Sequence, residues 1–252
     1  MKCDHPNIVK LHQCFHDPKN LYFVMDCWSN GELFTYMKNE GVLDYKIAQF
    51  LAAEIVNMIT YLQEHKICHR DLKPSNLILD GKMHLKLIDF GWGKFYKDKE
   101  VEAVEEVNLK SSSEDKEFKR MNTFIGTCEY MAPEIIQGIY VSNACDLWAL
   151  GIMIYKFFAE FSPFMGEFDH ETWEKIVEED PKFPEGFPED AKDICMKLLK
   201  KDPTNRLGAG ISGSENDTLA LKSHKFFTGI DFENLFEAES PIPKTMRRLN
   251  SI

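Results

Sequence analysis

The stretch ICHRDLKPSNLILDGKMHLKLIDFG, residues 67–91, decides how this 252-residue chain is read. It places Asp71, Lys73, Asn76 and Asp89 close together in sequence. Asp71 is a carboxylate that can handle a proton. Asn76 and Asp89 offer the hard oxygen atoms that a small divalent cation takes from side chains, usually one or two at a time. Lys73 stands two residues beyond Asp71, on the same side of an extended loop, where an ammonium can neutralise phosphate charge. The set suits phosphoryl transfer, which needs positioning and charge neutralisation more than covalent help, with a carboxylate beside the acceptor hydroxyl.

Around this stretch the chain divides by pattern. NIVKLHQCF (7–15) and LYFVMDC (21–27) are β-rich runs separated by the turn signal HDPKN, which predicts an antiparallel hairpin. GELFTYMKNEG predicts a short helix ended by glycine. From Asp44 to His65, Ile47, Phe50, Leu51, Ile55, Ile59 and Leu62 recur at helical spacing behind Asp44, a natural N-cap. After the loop come two short strands, LIL and HLKLI, joined at DGK. Residues 98–118 hold eight acidic residues and three lysines, too polar to bury, and read as a solvated insert. Ser111 and Ser112 each precede an acidic residue by three positions, which makes a docking or phosphoacceptor tract the alternative reading of the insert. NACDLWALGIMIYKFFAE (143–160) is apolar nearly all round and predicts a buried helix; HETWEKIVEE, PEDAKDICMKLLKK and NDTLALKSHKFF predict three more.

Composition narrows the class. A formal net charge of -11 argues against a nucleic-acid partner or a dominant anionic-membrane surface. Seven scattered cysteines, without a C-x-x-C pair, read as reduced thiols and predict a cytoplasmic protein; Cys27 and Cys128 carry no signal of special reactivity. The polar N-terminus predicts no signal peptide. The longest apolar run, LWALGIMIYKFFAEF, is broken by Lys156 and Glu160 and is too short to span a membrane.

Several of these stretches carry a family resemblance. HRDLKPSN (69–76) resembles the catalytic loop of eukaryotic protein kinases, DFG (89–91) their metal-binding motif, and APE (132–134) the close of their activation segment. DLWALGIMIY (146–155) is similar to their buried helix and DPTNRLG (202–208) to their late arginine motif. Lys73, together with Thr127 in GTCEYMAPE, resembles the Ser/Thr class. LYFVMDCWSNGELF, NTFIGTCEYMAPE, SNACDLWALG and LKSHKFFTGIDFENL are most similar to the phosphoinositide-dependent kinases of the AGC group.

The resemblance runs from about His5 to Phe227 and implies an α+β, protein-kinase-like fold: a mainly helical C-terminal lobe plus the hinge-side β-hairpin of a truncated N-terminal lobe. It implies residues 1–27 as the remnant of the upper lobe with the hinge, 28–227 as the C-terminal lobe with an insert at about 97–119, and 228–252 as a tail. It implies ATP and Mg²⁺ as cofactors, with γ-phosphate passed to Ser or Thr of protein substrates in intracellular signalling, activation loops of other kinases among them.

The residues carry over one by one. Asp71 is implied as the catalytic carboxylate and Lys73 as the phosphate-neutralising lysine, with Asn76 and Asp89 holding the metal. Met25, Cys27, Trp28, Glu32 and Ile78 would surround adenine and ribose. Thr127 would brace Asp71 and Lys73. Thr123 matches a phosphorylation site, with Arg70 and Lys94 as its cationic partners. Glu134 would pair with Arg206, and Asp146 would accept hydrogen bonds from the catalytic-loop backbone.

The same family carries a glycine-rich loop, a strand lysine and a helix glutamate in its upper lobe. None stands in these 252 residues; CDHPNIVKL resembles the linker that follows that helix, and neither Lys2 nor Lys10 is placed to substitute. The expectation is an active kinase whose lysine and glutamate precede Met1. The alternative is a catalytically inactive truncated lobe that serves as an interaction scaffold. No lipid-binding domain is expected after the kinase-like region in this sequence, whose last residues are IPKTMRRLNSI.

Overall fold

The computed structural model describes residues 3–28, 30–96, 128–139 and 142–243. The acidic insert, Thr123 and Thr127 therefore lie outside the described residues.

Strands β1 (Leu11–His16) and β2 (Leu21–Met25) form the expected antiparallel hairpin. Asp17 sets its turn. Its carboxylate accepts from the Tyr22 hydroxyl and from the backbone N–H groups of Lys19 and Asn20, each at 2.7 Å. Those bonds, Tyr22 first, hold the carboxyl down to about 2. Every residue of both strands is exposed, including Leu21, Phe23 and Met25.

The rest is built on helices. Helix α1 (Leu33–Glu40) ends at Gly41, whose φ of 70° a side chain would resist. Helix α2 (Tyr45–Glu64) starts at Asp44, whose side chain accepts from Lys46 N at 2.9 Å. Short strands follow: β3 (Ile67–Cys68), β4 (Leu77–Leu79), β5 (Leu85–Leu87) and β6 (Lys94–Phe95). β4 pairs with β5, and β3 pairs with β6. The second pair is not visible in the sequence, because two-residue strands carry no periodicity.

Beyond the undescribed segment lie α3 (Pro133–Ile136), α4 (Ala144–Phe158), α5 (Asp169–Glu178), α6 (Glu189–Leu198) and α7 (Thr218–Lys222). Helix α4 is the axis of the core. Of its fifteen residues only Lys156 is not buried, and it packs between α2 and α6. Each large apolar side chain buried there contributes roughly 1.5–3 kcal/mol of transfer free energy. The expected helix NDTLALKSHKFF divides in two. α7 ends at Lys222, and extended His224 caps a separate 3₁₀ turn at Lys225–Phe227 by accepting from Phe226 N.

Residues 228–243 continue along the lobe. Phe232 O accepts from Asn57 on α2, Ser240 donates to Met83 O at 2.9 Å, and Leu235 and Ile242 are buried. Among the described residues no helix is long and apolar enough to cross a membrane.

Candidate active site

The β4–β5 hairpin positions most of the candidate residues. A 3₁₀ turn, Pro74–Asn76, leads into β4, and Asp89 follows β5 by two residues. Leu77 pairs with Leu87, and Ile88 N donates to Asn76 O at 2.9 Å. Asn76 and Asp89 therefore flank the same end of one hairpin.

Asp71, Lys73 and Asn76 form one cluster. Lys73 Nζ lies 2.9 and 2.8 Å from the two carboxylate oxygens of Asp71. Asn76 Nδ2 donates to Asp71 O at 2.8 Å and to Asp71 Oδ2 at 3.0 Å. These bonds turn the Asn76 amide so that its oxygen is the end left for a cation. The Asp71 and Lys73 side chains are only 14% and 12% exposed, so the pair is held in place and not left waving in solvent.

Asp89 adopts φ 59° and Arg70 φ 66°, both in the left-handed region that non-glycine residues seldom occupy. Each is fixed by a neighbour. Asp89 Oδ1 accepts from Gly91 N at 3.0 Å, and a Cβ on Gly91 would sit 3.0 Å from that oxygen, so a side chain there would press on the Asp89 carboxylate. Arg70 N donates to Asp146 Oδ1 at 2.9 Å, and His69 N donates to Asp146 Oδ2 at 2.8 Å. Burial pushes the Asp146 carboxyl above its ordinary value, against the His69 charge and these two backbone donors.

The Glu134–Arg206 pair is fully inside. Both carboxylate oxygens meet the guanidinium at 2.6 Å. Arg206 also donates to the carbonyls of Ala144, Lys200 and Lys201 and lies over the Trp148 ring.

The candidate nucleotide residues line up along the other side of the hairpin. Glu32, at the start of α1, forms a backbone bridge with Ile78, and Leu79 N donates to Gly31 O. Met25 and Cys27 are exposed. Trp28 is half-buried, with the Lys86 ammonium 5.6 Å from its ring. Lys94 pairs through its backbone with Cys68, which brings it into the strip next to Arg70. Arg70 Nε donates to Trp92 O at 2.5 Å, which gives Trp92 a backbone role beside the DFG motif.

His69 stands in the HRD motif, and its role comes from its contacts. Its ring meets Phe90 edge-on at 5.0 Å and its Nε2 lies 3.2 Å from Ile88 O, so it joins the catalytic loop to the DFG segment. Lys86 left no sequence signal. It reaches the Pro6 carbonyl, Asp80 and the Phe236 ring, tying the linker, the hairpin and the tail together.

Residues 1–227 match the protein kinase domain family. The chain is 35% identical over 238 residues to a 3-phosphoinositide-dependent protein kinase 1 of Arabidopsis thaliana, covering 94% of this chain and 46% of that protein. It is 38% identical over 233 residues to the cAMP-dependent protein kinase catalytic subunit of Dictyostelium discoideum, covering 92% of this chain and 32% of that one. It is 35% identical over 240 residues to the 3-phosphoinositide-dependent protein kinase 1 of Homo sapiens, covering 95% and 40%. The chain spans less than half the length of each of these three relatives.

Proposed function

The chain belongs to the protein kinase family, and from that premise we propose that it transfers the γ-phosphate of ATP to Ser or Thr side chains of protein substrates. The observation that carries this reading is the joined cluster of Asp71, Lys73 and Asn76, with Asp89 flanking the same hairpin end.

Each residue has a task its geometry suits. Asp71 stands beside the incoming hydroxyl, orients it and accepts its proton. Lys73, held against Asp71, meets the phosphoryl oxygens as charge moves onto them. Asn76 Oδ1 and the Asp89 carboxylate supply hard oxygen ligands suited to Mg²⁺, which when bound neutralises the phosphate oxygens. Glu32 and Ile78, bridged through their backbones, take the ribose and adenine, with Met25, Cys27 and Trp28 along the hinge. Asp146 and the Glu134–Arg206 pair hold the loop and the segment end in place. Thr123 is given the role of a phosphorylation site whose phosphate would draw on Arg70 and Lys94, and Thr127, by the family resemblance, that of bracing Asp71 and Lys73. The protein acts in the cytoplasm.

The test is phosphotransfer from γ-labelled ATP by the purified protein, with the labelled residues mapped. Label on Ser and Thr, dependent on Mg²⁺, is expected. Label only on Tyr, or none with any divalent metal, would overturn the proposal.

A further inference from the structure

Two thiols meet directly beneath the catalytic loop. Cys68 ends β3, one residue before His69; Cys145 stands in α4, one residue before Asp146. They are 77 positions apart in sequence, yet their sulfur atoms are 3.1 Å from each other. Both side chains are buried. Neither belongs to the phosphotransfer set. Asp146 also lies near, all three ligand atoms within 4.8 Å of one another, but both its oxygens already accept from His69 and Arg70. Cys68 Sγ also reaches the Ser142 carbonyl at 3.2 Å and Cys145 Sγ lies 3.8 Å from Asp146 Oδ1, but the sulfur–sulfur approach is the shortest contact of either, which argues for bond formation between them over a shared ion.

A disulfide needs its sulfurs about 2.05 Å apart, so closing this pair takes a movement of about 1 Å. A small cavity of about 20 Å³ is lined by Arg70, Asp71, Cys145 and Asp146 and reaches the pair at Cys145. One water needs about 10–15 Å³, so this space admits an oxidant of about that size and excludes a bulky one.

We propose that Cys68 and Cys145 form an oxidisable pair that a peroxide converts to a disulfide, locking β3 to α4 across the Asp146 brace. Cys145 sulfur attacks one peroxide oxygen. The O–O bond breaks, one oxygen leaves as water, and Cys145 becomes a sulfenic acid. Cys68 sulfur then attacks the Cys145 sulfur, the S–O bond breaks, and the hydroxide leaves as water with the Cys68 proton. Two thiols and one hydrogen peroxide thus give one disulfide and two waters. The reaction is slow. The hydrogen bond with Cys145, then burial, push the Cys68 thiol well up; at Cys145 the hydrogen bond with Cys68 pulls the thiol down, but burial together with the charges of Asp146 and Glu134 raises it overall, so both stay protonated. The disulfide would form under sustained oxidant and not in a brief pulse.

The experiment treats the purified protein with hydrogen peroxide, alkylates remaining thiols in urea, digests without reductant and maps the peptides by mass spectrometry. A peptide pair joined through Cys68 and Cys145 is expected, lighter by two hydrogens than its reduced halves and lost on adding dithiothreitol. Glutathione disulfide over the same time should not produce it. In the Cys68→Ser variant, dimedone added with urea after the peroxide treatment should trap a sulfenic acid at Cys145. Recovery of Cys68 and Cys145 as alkylated thiols after exposed Cys14 has been oxidised would overturn the proposal. So would an equal yield of the joined peptides from glutathione disulfide. The mapping on the unaltered protein decides the matter even if the variant does not fold.

Discussion

Glu134, Arg206 and Asp146 place charge inside the protein, and each is surrounded by hydrogen-bonding partners. Removing one half of a buried pair strands the other, at a cost of about 3–5 kcal/mol, whereas replacing both with apolar groups of similar volume can be neutral. Arg206→Met should therefore lower unfolding stability in urea by about that amount, and Arg206→Met with Glu134→Met by clearly less. A double variant as unstable as the single one would show that the pair itself, and not the stranded charge, is what matters. His5 gives a pH-dependent counterpart. Burial first, then the charges of Lys86, Lys222 and His65, lower its pKa to about 4 from 6.5. Its Nδ1 accepts from Asn7 N at 3.1 Å, a bond that a proton there would remove. The unfolded chain takes up a proton between pH 6.5 and about 4 that the folded chain refuses, so this contribution to stability is lost as pH falls through that window. Melting temperature should fall more steeply from pH 7 to 4.5 in the unaltered protein than in His5→Phe; parallel slopes would count against the role given to His5.

At the scale of elements, α4 is held by shape as much as by hydrophobicity. Gly151 faces α6 and its extension, where an added Cβ would meet Leu199 Cδ2 at 2.8 Å and Leu198 Cβ at 3.0 Å. Gly151→Ala should lower stability by about 1–3 kcal/mol, measured by denaturant titration, through forced separation of the two helices. An unchanged midpoint would mean that Leu198 and Leu199 move aside freely. The helices themselves were legible in the sequence, because α2 and α4 are long and their apolar residues are dense or periodic. Asp44 as the cap of α2 was legible for the same reason, a short polar acceptor just ahead of an apolar run. The site residues were legible as motifs, since HRDLKPSN and DFG keep each functional group at a fixed offset along the chain. What escaped were partnerships between distant positions: Cys68 with Cys145, Lys86 with Pro6 and Phe236, and the β3–β6 pair. Such contacts depend on where the chain returns, which no local pattern encodes. The fate of α7 was missed for a smaller reason, since the break at His224 is a capping choice inside an apolar-rich run.

Over the whole molecule, order is uneven by construction. The core around α2 and α4 is buried, while Leu11, Phe15, Leu21, Phe23, Val24 and Met25 of the β1–β2 hairpin are exposed. Local opening is easiest where few apolar groups are covered. Hydrogen exchange should therefore run far faster at the hairpin amides than in α4, and equal protection in the two regions would contradict the division. The docked stretch 228–243, fastened at Asn57 and Met83, should exchange at an intermediate rate. Cys27 and Trp28, the proposed hinge, lie between the exposed hairpin and the buried helices, with Asp71, Lys73 and Asn76 held on the helical side. The chemistry assigned to that cluster is tested most directly by steady-state phosphotransfer with Asp71→Asn, a change that keeps the shape and removes the carboxylate. The expected result is a fall in kcat of about 10²–10⁴-fold with the KM for ATP nearly unchanged, because general-base action is lost while nucleotide contacts remain. A kcat within a few-fold of the unaltered protein would contradict the role of Asp71 and the reading of the site built around it.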